Sequence, residues 1–205
     1  MPGRLFLTTP ITEVAERLGV SAGHLPGQPP RRNIQPGQEV VALTPNGLTR
    51  MRWGMIPVGR VNARGRPVME TIINARSETV FDKTAFQGVG RAVVPVDGWY
   101  EWTGEKRRKT AWRITSRDGG LLLFAAITDT WLAPGGQRVD QLATVTCEPN
   151  GDVAAIHHRM GVLLRVEDLQ TWLNGAEKEA SALARPWPDG LLNVEEAGDV
   201  DWSAP

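Results

Sequence analysis

The chain has 205 residues, 41% of them hydrophobic, which is enough for one domain with a substantial core. Its one cysteine, Cys147, excludes an internal disulfide and a Cys-rich zinc site, and its longest apolar run, Leu121 to Ile127, is too short to span a membrane. The formal charge of zero hides a split: residues 1–117 hold 18 Lys and Arg against 9 Asp and Glu, and residues 118–205 hold 5 against 14.

In chain order, a first helix is expected over 10–18. Thr9 caps it, Pro10 suits its first turn, and Gly19 ends it. Ile11, Val14, Ala15 and Leu18 then share one face. Residues 19–37, rich in Gly and Pro, read as an extended loop. Glu39–Thr44 and Leu48–Trp53 flank Pro45-Asn46-Gly47, which predicts a hairpin. Further strands are expected at 71–76, 91–96, 98–103, 109–116, 120–128 and 139–146, and helices at 79–86, 166–174 and 176–184. Residues 189–205 carry five acids and no base, and read as a partly mobile acidic tail. The prediction is a single α+β domain over 1–188. Its sheet is mainly antiparallel and barrel-like, with flanking helices.

Three segments concentrate chemistry. On a strand at 98–102, Trp99 and Glu101 share one face, and Gly98, Tyr100 and Trp102 share the other. A carboxyl group among aromatics either pairs with an arginine or titrates near neutrality, where it can act as a general acid or base. Asn74 and Arg76 point to one side of a second strand, where they suit a sugar–phosphate or carboxylate ligand; a structural salt bridge is the plainer reading for Arg76. His157 and His158 are adjacent, so only one of them faces a given site on a strand. That one is an acid–base group or a packed histidine. Three histidines without spaced acidic or Cys partners give no metal site. The Arg-rich first half suits an anionic ligand, and codon bias explains the same count.

Taken in order, these blocks resemble the SRAP family, the SOS-response-associated, peptidase-like proteins. Asn33-Ile34-Gln35-Pro36-Gly37 resembles its Asn-hydrophobic-x-Pro-Gly loop, and Trp53-Gly54-Met55-Ile56-Pro57 its Trp-Gly-x-x-Pro turn. Met1-Pro2-Gly3-Arg4, Asn74 to Thr79, Asp97 to Trp102 and Ile156 to Leu164 complete the match. The resemblance implies binding of single-stranded DNA carrying abasic sites. In the family, removal of the initiator methionine exposes a cysteine that forms a thiazolidine with the ring-opened sugar. By the same resemblance, Asn74 positions the sugar, Glu101 and His157 form the acid–base pair, and Arg76 and Arg159 hold phosphates. Arg4 lines the DNA groove, Thr146 contacts DNA, and Pro36 and Trp102 stack against or wedge the bases. The expected protein is a cytoplasmic monomer (nucleoid-associated if bacterial) that needs no metal, cofactor or membrane. No charged stretch followed by an apolar one opens the chain, so no secretory signal is expected.

Position 2 is Pro, so the thiazolidine cannot form there. Cys147, in a strand-like segment, has no adjacent α-amine and reads as a core thiol. A second departure is Gly161, where the family usually has Pro. Once Met1 is removed, Pro2 presents a secondary amine, and an amine of that kind condenses with an aldehyde to a hydrolysable iminium. The catalytic set expected is therefore Pro2, Asn74, Glu101 and His157, acting by reversible Schiff-base capture or abasic-site lyase chemistry. Two other readings stay open: a non-catalytic single-stranded DNA-binding paralogue, and a peptidase or self-processing activity.

Overall fold

The structure is a computed structural model that describes residues 2–25, 27–56, 64, 70–82, 86–105, 108–133 and 135–203. Thirteen strands and three helices are found among them. The first half supplies β1 (Arg4–Leu7), α1 (Ile11–Arg17), β2 (Arg31–Ile34), β3 (Glu39–Thr44), β4 (Gly47–Trp53), β5 (Asn74–Arg76), β6 (Gly90–Val96) and β7 (Gly98–Thr103). The second supplies β8 (Thr110–Ser116), β9 (Leu122–Leu132), β10 (Arg138–Cys147), β11 (Met160–Gly161), β12 (Leu163–Leu164), α2 (Leu169–Asn174), α3 (Glu177–Leu183) and β13 (Leu192–Glu196).

The strands form two sheets. One has five strands in the order β13-β8-β7-β1-β2. In the other, pairings run from β10 through β4, β3, β6 and β9 back to β10, with β5, β11 and β12 attached. That circuit makes the architecture barrel-like. It is narrow where β3 meets β6 through the single pair Leu43–Val93. All pairings are antiparallel except those of β10 with β4 and β5; the short turns joining β3 to β4, β7 to β8 and β9 to β10 require antiparallel neighbours.

The centre of the second sheet is buried on both faces, which explains the unbroken apolar runs Ala92-Val93-Val94 and Leu122 to Ile127. The sheets meet through contacts such as Trp99 on β7 edge-on to Phe124 on β9, with ring centroids 5.4 Å apart. Gly161 belongs to the same layer. A Cβ there would sit 1.9 Å from the Phe124 ring, so the missing side chain at Gly161 makes room for a large aromatic.

Several expectations need correction. Thr9 does not cap α1, whose N-cap is Pro10. Its hydroxyl donates to Asp97 instead (2.6 Å). The extended loop at 19–37 contains β2, which pairs with β1. In place of a helix over 79–86 there is turn at 77–82, while 83–85 lie outside the described residues. The acidic segment is not simply a mobile tail. Leu192 and Val194 alternate with polar neighbours, and β13 pairs with β8 along its full length.

Asp97 ties the start of the chain to the loop between β6 and β7. It accepts from the backbone N–H and hydroxyl of both Thr8 and Thr9, at 2.6 to 3.0 Å. Burial acts to raise its pKa, and these bonds outweigh burial and lower it. The stability they contribute is therefore present above the ordinary carboxylate range and lost as pH falls through the depressed pKa. Asp97→Ala should cost about 2 kcal/mol at neutral pH. Urea titrations should show that deficit shrinking as acid protonates Asp97 in the parent; an equal deficit at pH 2 and pH 7 contradicts the assignment.

Candidate functional site

The register of β1 on β7 builds the site. Arg4 pairs with Tyr100 and Leu5 with Trp99, and the Gly3 N–H donates to the Tyr100 carbonyl (3.5 Å). The residue before Gly3, the buried Pro2, is thereby seated beside the end of β7 that carries Glu101. Strand alternation turns Trp99 and Glu101 inward, where both are almost fully buried. Burial pushes the Glu101 carboxyl up to about 7, against the opposing pull of the positive amino terminus.

Asn74 reaches the same place from the second sheet. Its Nδ2 lies 3.5 Å from the Pro2 carbonyl, and its Oδ1 accepts from the Thr144 hydroxyl at 2.5 Å. Because an amide oxygen only accepts, this hydroxyl orients the Asn74 side chain with its NH2 toward Pro2. The strand carrying Asn74 pairs with β10 and is anchored at the residue before it. The Trp53 indole N–H and the Thr144 backbone N–H both donate to the Ile73 carbonyl (3.2 and 3.1 Å), and Gly54 N–H donates to Leu142 (2.8 Å). The buried Gln141 side chain bonds both the N–H and the carbonyl of Ile56. The Trp-Gly turn is therefore a clamp on β5.

His157 lies in the irregular segment after the turn at 151–156 rather than on a strand, so the expectation that neighbouring histidines diverge fails: its ring stacks on His158 with centroids 4.4 Å apart. Its Nδ1 is held by the Arg159 backbone, 2.9 Å from the N–H and 3.0 Å from the carbonyl. Burial and then the positive amino terminus lower its pKa. Asn74 thus meets Pro2 directly, and Glu101 and His157 both sense the positive charge of the amino terminus.

The remaining expected residues lie around this centre in two groups. Arg76 is exposed on β5. Arg159 makes a bidentate pair with Glu78 (2.5 and 2.9 Å) and donates to the Thr146 carbonyl (2.5 Å). That guanidinium, first among several causes, brings the Glu78 carboxyl down to about 2. Thr146 is fully buried with its hydroxyl on the Ala75 carbonyl, so it supports Arg159 from within. Arg4 and Trp102 form the second group, on the opposite face of β7 from Glu101, with the guanidinium carbon 6.0 Å from the indole centroid. Pro36 occupies the tight turn between β2 and β3, which Gly37 completes with φ of 93°.

Cys147 is buried, and burial pushes its thiol up to about 12, so it is not a nucleophile. The sequence reading passed over Thr144, Gln141 and Glu78. Thr144 was detectable as a polar residue of β10 with an apolar neighbour on each side. Among the described residues no helix is long and apolar enough to cross a membrane.

A carboxyl that is neutral up to about pH 7 in the folded chain and ionised above 4.5 in the unfolded one opposes folding as pH rises through that window. Glu101→Gln should therefore be more stable than the parent at pH 8, by about 2 kcal/mol, with no difference below pH 4. Chemical denaturation at the two pH values checks this; a variant less stable than the parent at pH 8 would contradict it.

The family described as SOS response associated peptidase (SRAP) matches residues 1–199. Abasic site processing protein YoqW of Bacillus subtilis is 28% identical over 210 residues, which cover 98% of this chain and 90% of the relative. Abasic site processing protein YoaM of the same bacterium is 30% identical over 183 residues, covering 85% and 79%. A crystal structure of a Bacteroides thetaiotaomicron protein superposes with a TM-score of 0.80 over 96% of this chain and 92% of that one, at 22% identity, and shows the same fold. With a match that runs through every block of the site, this chain belongs to the SRAP family.

Proposed function

We propose that this protein processes abasic sites in single-stranded DNA, with Pro2 as a reversible nucleophile once Met1 has been removed. The observation that carries this reading is the convergence of Asn74, Glu101 and His157 on the start of the chain, in relatives of which the named function is abasic site processing. An α-amine with an ordinary pKa of about 7.7–8.0 has a neutral, nucleophilic fraction at physiological pH.

The chemistry follows from the groups present. Opening the abasic sugar ring needs a proton on the ring oxygen and a base at the anomeric hydroxyl; Glu101, neutral up to about pH 7, and His157 share these roles. Asn74, its amide oriented by Thr144, holds the sugar. The Pro2 nitrogen adds to C1′ of the aldehyde, and loss of water leaves an iminium. Removal of a C2′ proton leaves an enamine, and return of its nitrogen electron pair breaks the C3′–O bond, which expels the 3′ phosphate and leaves an unsaturated iminium. Hydrolysis then returns Pro2. Arg76 and Arg159 hold flanking phosphates, with Thr146 behind Arg159, while Arg4, Pro36 and Trp102 receive the strand. Because an iminium hydrolyses far more readily than a thiazolidine, the capture is transient.

A non-catalytic single-stranded DNA-binding role is the second reading, favoured by the exchange of the family's cysteine for Pro2. Trapping separates them. With an oligonucleotide carrying one abasic site, covalent adduct should form only with borohydride present, and intact mass should show Met1 absent. Pro2→Cys should give an adduct that survives without reductant. Tight binding without trapping supports the second reading; a reductant-independent adduct in the parent protein contradicts iminium chemistry.

A further inference from the structure

The outer face of the five-stranded sheet is basic and aromatic. The pairs Arg4–Tyr100 and Tyr100–Arg113 put Arg4, Phe6, Tyr100, Trp102 and Arg113 on one side, away from Glu101. The chain covers this face with its own acidic segment. After β13, the Ala197 N–H donates to the Ala111 carbonyl (2.9 Å), and Ala197 is buried against Phe6 and Tyr100. The segment then places Asp199 on Arg113 (2.5 Å), and the Trp202 ring packs 5.0 Å from Tyr100 and 5.3 Å from Trp102. The Trp202 carbonyl accepts from the buried Asn33 amide at 2.9 Å. Beneath the segment lies a cavity of about 500 Å3 lined by Arg32, Arg113 and Tyr100 on the sheet side and by Asp199 and Asp201 on the other.

These contacts have the chemistry of a bound polynucleotide: an extended backbone, anionic groups against guanidinium groups, and a flat ring against aromatic side chains. We propose that residues 197–203 are an internal competitor for single-stranded nucleic acid, and that the face they cover, from Arg4 and Trp102 to Arg113 and Arg32, continues the DNA path. The inference rests on the single-stranded DNA reading above. Its own support is that Trp202 already occupies the Trp102 surface assigned to the bases. The cover is also lightly held. The Asp199 side chain is 72% exposed and Trp202 36%, and exposed ion pairs of this kind contribute little. A strand that releases counterions on binding can displace such a segment. While the segment is seated, apparent affinity falls in proportion to the fraction of molecules with the face uncovered.

The test is binding of fluorescent oligothymidylate of about 12 nucleotides, lacking abasic sites so that no covalent step intervenes. Trp202→Ala, which changes no charge, should bind about three- to tenfold more tightly than the full chain. Asp199→Asn with Asp201→Asn should do the same, and by more than Glu16→Gln with Glu167→Gln, which removes equal charge outside the segment. Equal or weaker binding by Trp202→Ala overturns the proposal and leaves the DNA reading intact; failure of every form to bind the oligonucleotide overturns both. A readout on the unmodified chain guards against a misfolded variant. Saturation with oligothymidylate should speed amide hydrogen exchange across 197–203, and unchanged or slower exchange there overturns the proposal. Displacement by an acidic peptide but not by oligothymidylate would also overturn it.

Discussion

The site depends on one strand register. By pairing Arg4 with Tyr100, β1 delivers the first residues of the chain to the end of β7, beside a carboxyl group buried between two sheets. A slip of β1 by one residue along β7 would turn Leu5 and Leu7 to the outside and Arg4 and Phe6 to the inside. The alternation in β7 therefore gives one short strand two jobs. Its inner face holds the acid, and its outer face holds the aromatic platform. Asp97, bonded to Thr8 and Thr9, fixes that register at the other end of β1.

Electrostatics then distinguishes the groups. Glu101 is raised toward neutrality by burial, whereas Glu78, half exposed and clasped by Arg159, stays ionised. Two glutamates in one region thus differ in protonation state because their surroundings differ. The same contrast orders the arginines. Arg159 and Arg113 are engaged by carboxylates, and Arg76 stands exposed on β5. The split of charge along the chain is partly bridged in the fold, where the acidic second half supplies Glu195 and Asp199 to Arg113 in the basic first half.

Much of this was legible in the chain. Elements with strong alternation or long apolar runs, such as β6, β7, β8 and the β3–β4 hairpin, follow from pattern alone. Alternation in 98–102 also placed Glu101 and Trp102 on opposite faces. What pattern did not show was set by partners distant in sequence. Thr9 reads as a helix cap until Asp97, 88 residues away, is brought to it. β2 is four residues in a Gly- and Pro-rich stretch, and only β1 makes it a strand. The acids of 195–201 mask Leu192 and Val194, whose burial depends on β8. Thr144 stands out in sequence only as a polar residue among apolar ones, and its role appears because the Asn74 amide oxygen lies 2.5 Å from its hydroxyl on another strand.

In the proposed reaction the amine of Pro2 is the reacting group. Tandem mass spectrometry of the borohydride-reduced adduct tests that directly. A sugar remnant is expected on the peptide that begins at Pro2, attached through its ring nitrogen, with none on internal lysines. A remnant on a lysine, or on a peptide that retains Met1, would contradict it.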